Sequence, residues 1–202
     1  MNTSRMLESP SDAALISRIA SGDADAVSTL FERRQQNVYR FVLHLTGSPA
    51  IADDVTQEVF LAVIRDAGRF EPGRAAATAW LCGIARNHVR RRLAAERRAE
   101  SLADDELLAR VPGVTQDPLE DLTSAEGLEI LRRSLLSLPL KYREPIVLCD
   151  LQEMPYAEAA VVLDCPVGTL KSRLNRGRAL LAAKVQAAGP APQRRRMTRC
   201  LA

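Results

Sequence analysis

The chain has 202 residues, a formal net charge of +3, and 47% apolar side chains, enough to bury the cores of one large or two small domains. Aromatic residues make up only 4%, while Ala, Leu, Val and Arg dominate, a composition that favours helices over sheets. Four cysteines (Cys82, Cys149, Cys165 and Cys200) stand far apart with no CxxC pair, which argues against a disulfide framework or a zinc ribbon.

Ser11 or Asp12 can cap a short helix carrying Leu15, Ile16 and Ile19 and stopping at Gly22. Asp23 can open a longer helix whose stripe is Val27, Leu30, Phe31, Val38, Phe41, Val42 and Leu45, with Gly47 at its end. Ser48 followed by Pro49 is a start signal, because a proline at the first helical position loses no hydrogen bond. The helix after it turns Ile51, Val55, Val59, Ala62 and Val63 inward and runs to about Ala67. "GRFEPGRAAAT", Gly68 to Thr78, reads as a loop. Thr78 is then expected to cap a helix through about Arg98, with Leu81, Ile84, Ala85, His88 and Val89 on one side.

From Glu100 to about Leu122 no stripe is sustained, and Pro112, Gly113 and Pro118 interrupt the run. Beyond it, Leu128, Leu131, Leu135 and Leu138 mark a helix broken at Pro139. A second helix runs from about Leu140 to Leu151 and buries Ile146, Val147 and Leu148. "MPYAEAAVVLD" is a third, and "PVGTLKSRLNRGRALL", Pro166 to Leu181, is a fourth. Nothing alternates with period two for long enough to be a strand. The expected fold class is all-α: two small helical domains, 11–98 and 124–186, joined by an acidic linker, 99–123, and followed by a basic tail, 187–202, expected to be disordered. Cys82 and Cys149 are expected to be core thiols, with Cys165 at a turn. No apolar run approaches the roughly 20 residues of a membrane span, and the N-terminus lacks a signal-peptide core. The expectation is a soluble intracellular protein with no membrane insertion.

Charge is unevenly spread. Between Arg86 and Arg98, six arginines face the single acid Glu96, a balance of +5. Between Glu100 and Glu129, nine acids face Arg110 alone, a balance of −8. Lys171 to Lys184 holds five cations and no acid, and Arg194, Arg195, Arg196 and Arg199 follow in the tail. Each block alone is compatible with a solvated helix face, but two basic blocks on separate helices favour a polyanionic partner.

The last two helices are joined by "LDCPVG", the length a helix-turn-helix uses to set two helices near a right angle. Val167, Leu170, Leu174 and Leu181 point one way, and Lys171, Ser172, Asn175 and Arg176 another. In such a motif the second helix enters the major groove with its N-terminal half toward base edges. Lys171 and Arg176 can donate to guanine, Asn175 can pair with adenine, and Ser172 can do either. Thr169 and Arg173 are better placed for phosphates, which position the protein without reading sequence. A plain helical hairpin with a wet basic face remains the simpler alternative for this segment alone.

"AIADDVTQEVFLAVI", Ala50 to Ile64, and "TAWLCGIARNHVRRRLAAERR", Thr78 to Arg98, precede the acidic stretch and the C-terminal helices. In that order the blocks closely resemble bacterial RNA polymerase sigma factors of the small, two-domain extracytoplasmic-function (ECF) class. The resemblance spans about Asp12 to Lys184. It implies that Asp54, Gln57, Glu58 and Leu61, one face at i, i+3, i+4 and i+7, dock core RNA polymerase at the clamp helices of its largest subunit. It also implies a flap-region contact and promoter DNA as partners.

In the family, a minus-ten base is flipped from the non-template strand into a pocket made by the loop after the third helix. The resemblance assigns that role here to Arg69 and Phe70, with Trp80, Arg86, Asn87, Arg90 and Arg91 on the next helix. Arg86, Arg90 and Arg91 would hold phosphates and Asn87 a base edge, returning the stacking energy lost on extrusion. Trp80 is open to stacking on a base, though packing within the domain is the favoured reading. The minus-thirty-five element falls to Thr169, Lys171, Ser172, Arg173, Asn175 and Arg176. The linker would act either as an RNA mimic in the exit path or as a self-repelling spacer.

An anti-sigma protein is an expected partner, since members of this class are commonly held by one. No catalytic residue, cofactor or metal is expected, and the bacterial cytoplasm is the expected location. A magnesium site at Asp53, Asp54 and Glu58 is disfavoured because consecutive helical residues diverge. His44 and His88 read as structural. The rival readings are a stand-alone helix-turn-helix regulator, which leaves Ala50–Arg98 unexplained, and a nuclease, for which no converging carboxylates are found.

Overall fold

The computed structural model describes residues 9–73, 75–100 and 125–188, and every regular element in them is helical. Helix α1, Asp12–Ala20, is capped by Ser11, whose hydroxyl accepts from the Ala14 amide. Helix α2, Ala24–Thr46, starts at Asp23, which accepts from Ala26 and also binds Arg18 across the turn. It ends at Gly47, whose φ of 73° is the left-handed conformation that a side chain resists. Helix α3, Pro49–Asp66, follows at once, with Ser48 as its cap and proline in its first turn. A single 3₁₀ turn, Ala67–Arg69, closes it.

Helix α4, Ala77–Glu100, starts two residues earlier than the sequence suggests, with the Trp80 amide donating to the Ala76 carbonyl. Thr78 therefore lies inside the first turn and is not the cap. Leu15, Ile16, Leu30, Phe41, Leu45, Val55, Val59, Val63, Leu81, Ala85 and Val89 close a dry core among these four helices.

The second half comprises α5, Ala125–Leu136; α6, Leu140–Ile146, prolonged by a π-helical turn over Val147–Leu151; α7, Tyr156–Leu163; and α8, Val167–Ala188. The buried stripe of α5 runs through Ile130, Ser134 and Leu135 and on to Leu138, while Leu128 is 55% exposed. The expected Leu128 stripe is thus rotated, because leucine content alone does not set the angular position of a face. Pro145 lies inside α6 and lacks the amide that would bond the Lys141 carbonyl. Gly177 of α8 lets that helix lie against α6: a β-carbon there would stand 2.9 Å from the Tyr142 carbonyl oxygen.

The two halves are in contact. One apolar cluster runs from α1–α4 into α5–α8, and α4 packs on α7 as α2 packs on α5. Leu136 sits directly over Gly47. The Arg143 guanidinium donates to the carbonyl of Leu45, at the end of α2, and to those of Leu136 and Leu138. The acidic run read as a linker lies, from residue 101 to 124, outside the described residues, as does the tail from 189.

Candidate protein- and nucleic-acid-binding faces

Helix α3 carries its core on Ala52, Val55, Thr56, Val59, Ala62 and Val63, which leaves Asp54, Gln57 and Leu61 outward with Glu58 half-buried beside them. Leu61 is 65% and Ile64 51% exposed, so the face has an apolar centre that water does not favour. Ile64 was missed in the sequence, although its spacing of three from Leu61 and seven from Gln57 puts it on the same face.

The two acids are already engaged. Arg92 of α4 donates to Asp54 at 3.0 Å and to Glu58 at 2.7 Å, and His88 Nδ1 lies 2.8 Å from Glu58 Oε2. Hydrogen bonding from Arg92 is the largest influence on the Glu58 carboxyl and, with help from the charges of Arg92 and His88, outweighs burial and holds it below its usual range. His88 thus faces a carboxylate, which the sequence reading did not foresee: the two residues are far apart in sequence and only α3–α4 packing joins them.

The loop after α3 and the first turns of α4 form one wall of a cleft of about 730 Å3. Phe70 and Trp80 stack obliquely there, ring centres 5.2 Å apart at 50°. Arg69 is exposed and paired with Asp66 at 3.2 Å. Asn87, Arg90 and Arg91 are exposed, the first two on the cleft. The opposite wall is the helix-turn-helix: Val161, Val162, Leu163, Asp164 and Arg173.

Arg86 does not share the exposure of its neighbours. It is 7% exposed, its Nε donates to Glu144 Oε1 at 2.9 Å, and its Nη1 donates to the Val162 carbonyl at 3.1 Å. The expectation that Arg86 holds phosphate does not apply to this conformation: the side chain is buried, with Nε and Nη1 donating to α6 and α7. Only contact between the halves explains this, and no local pattern signals it.

In the C-terminal half, α7 and α8 are joined by Asp164, Cys165 and Pro166 alone. Asp164, at φ 50° and ψ 55°, makes the left-handed turn that ends α7. Leu170, Leu174 and Gly177 are buried, while Lys171, Ser172, Asn175 and Arg176 are exposed on the far side. Val167, expected inside, is 39% exposed at the first position of α8. Thr169 and Arg173 are half-buried, Arg173 at the cleft. Arg178 is clamped by Asp150 at 2.6 and 3.0 Å, which ties α8 to the π-helical turn.

Residues 30–99 match the family model of Sigma-70 region 2, and residues 128–181 match Sigma-70, region 4. The probable RNA polymerase sigma-C factor of Mycobacterium bovis is 37% identical over 179 residues, covering 84% of this chain and 89% of that protein. The ECF RNA polymerase sigma-E factor of Escherichia coli is 32% identical over 188 residues, covering 90% and 97%. Among solved structures, CnrH in complex with the cytosolic domain of CnrY is similar at a TM-score of 0.64 and 26% identity, over 88% of this chain and 99% of that one. RpoE in complex with the anti-sigma factor NepR from Bartonella quintana matches at 0.64 and 23%, over 80% and 98%, a likeness of fold.

The chain belongs to the RNA polymerase sigma factors of the ECF class. It is a transcription initiation factor that binds core RNA polymerase and directs it to promoters, in a family whose members are not enzymes. No helix among the described residues is long and apolar enough to cross a membrane.

Proposed function

We propose that the α3 face of Asp54, Gln57, Glu58 and Leu61, extended by Ile64, docks core polymerase. The minus-ten strand lies along Arg69, Phe70, Trp80, Asn87, Arg90 and Arg91, and α8 reads the minus-thirty-five element with Lys171, Ser172, Asn175 and Arg176, while Thr169 and Arg173 take phosphates. The observation that carries the reading is the α3 face: two large aliphatic side chains stand in water, rimmed by carboxylates and an amide, the make-up of a protein contact with apolar centre and polar rim. The basic, acid-free outer side of α8 supports the second assignment.

The chain performs no chemistry of its own and acts in the bacterial cytoplasm, where the nucleotidyl transfer belongs to the polymerase. An anti-sigma protein is its further partner, covering Leu61, Ile64 and the DNA-facing helices; RpoE was solved with such a factor and CnrH with a cytosolic domain.

Run-off transcription with core enzyme and a randomised promoter library tests the whole reading. The chain directs start sites on a subset sharing two sequence blocks; no start site from a folded chain overturns it. Asp54→Ala with Gln57→Ala weakens capture of core polymerase while circular dichroism and melting temperature stay those of the parent.

A further inference from the structure

Between Lys171 and Arg178, α8 carries four cations, and the fold treats them differently. Arg178 donates twice to Asp150, at 2.6 and 3.0 Å, and is committed to the π-helical turn. Arg173 is half-buried at the cleft, and Arg176 is exposed. Lys171 is exposed as well, yet its Nζ lies over the ring of Tyr156, 5.9 Å from the centroid.

That contact differs in kind from the Arg178–Asp150 pair. A ring face attracts the charge of an ammonium group and supplies no acceptor atom, so the three N–H donors of Lys171 stay available for O6 and N7 of a guanine. Lysine is a compact charge on a flexible four-carbon stem, and ordering that stem costs entropy. Unheld, it settles on a phosphate as readily as on a base edge. A side chain held in place before binding loses less freedom on contact.

Tyr156 is placed to do the holding. It is the first residue of α7, stands 39% exposed, and belongs neither to the buried core nor to the side chains packed on it. Its hydroxyl also meets the Arg178 guanidinium. Lys171 and Arg178 are seven residues apart, two turns along one side of α8, and the tyrosine spans them.

We infer that Tyr156 is a positioning residue for minus-thirty-five recognition: its ring holds the Lys171 ammonium group in one place, so that the lysine reads a single position of the element. The inference rests on the assignment of α8 to that element. The reading unit then comprises two helices, with α7 supplying the platform and α8 the donor.

The test uses holoenzyme assembled from core polymerase and the full chain, in competition binding to single-base variants of the minus-thirty-five element. Lys171→Ala first defines the position that the lysine reads. Tyr156→Leu removes ring and hydroxyl together, and is expected to cut discrimination at that same position about two- to fivefold. Tyr156→Phe removes only the hydroxyl contact with Arg178, and is expected to keep the parent's discrimination. In a chain already carrying Lys171→Ala, Tyr156→Leu is expected to add no further loss, the mark of two residues acting as one. If Tyr156→Leu loses helical circular dichroism, Tyr156→Gln is read in its place. Additive losses, losses spread evenly over every position, or a phenylalanine variant as impaired as the leucine one overturn the positioning role. A Lys171→Ala effect that Tyr156→Leu does not reproduce sinks that role alone, whereas unaltered preference in Lys171→Ala sinks the assignment of Lys171 as a base reader and the positioning role with it.

Discussion

Arg92 and His88 converge on Glu58 from one helix, so the carboxylate proposed for polymerase docking is already compensated in the free chain. Its depressed ionisation means this contribution is present above the ordinary Glu value of 4.5 and is lost as pH falls through the lower folded value. His44 behaves in the opposite chemical sense with the same outcome. Burial first, then the charges of Arg132 and Arg40, push it below 6.5, and its Nδ1 has no hydrogen-bond partner among the described residues. The unfolded chain takes up this proton more readily, so stability declines as pH drops below about 6.5 towards the folded value. Melting temperature between about pH 7.5 and pH 5.5 should therefore fall more steeply in the parent than in His44→Gln. Equal slopes would mean that other groups govern the decline. Cys82, pushed up to about 12 chiefly by burial, stays a thiol throughout this range and is a packing residue.

Among the elements, α8 carries the sharpest expectations. Gly177→Ala places a methyl group 2.9 Å from a backbone oxygen that cannot swing away, so α6 and α8 must part. The expected loss is about 1–3 kcal/mol in urea unfolding. On the opposite side, Lys171→Ala and Arg176→Ala should each relax preference at one or two minus-thirty-five positions by about 1–3 kcal/mol, seen in competition binding of holoenzyme to single-base variants. Uniform losses on every sequence would assign those side chains to phosphate.

Helix ends were largely legible: Ser11, Asp23 and Ser48 each cap where a short polar side chain precedes an apolar stripe, and Gly47 ends α2 because its backbone turns left-handed. Two features escaped a local reading. Ala76, with no side chain to accept a bond, stands where Thr78 promised a cap, and Ile130 outcompetes Leu128 for the interior of α5. Neither choice is made by the segment itself; the neighbouring helices make it. Arg86 was invisible for a stronger reason, since its partner is 58 residues away and on the other half.

For the molecule as a whole, the shared core of α1–α4 and α5–α8 carries a thermodynamic consequence. Halves joined by buried leucines and a buried ion pair should melt together, so calorimetry of the full chain is expected to show one transition with equal calorimetric and van't Hoff enthalpies. Two resolved transitions would mean the contact contributes little in solution. The π-helical turn after Pro145 bears on geometry of a different kind. There the Gln152 amide bonds back five residues to Val147, so the winding holds one residue more than an α-helix would. Excising a single residue between Val147 and Leu151 would let ordinary α-helical winding close the same turn, so the wide ring absorbs one residue without turning the chain beyond it about the α6 axis. The supernumerary residue is thus one that α6 can lose while keeping its heading, and a deletion of one codon there is expected to leave the helical circular dichroism of the chain unchanged.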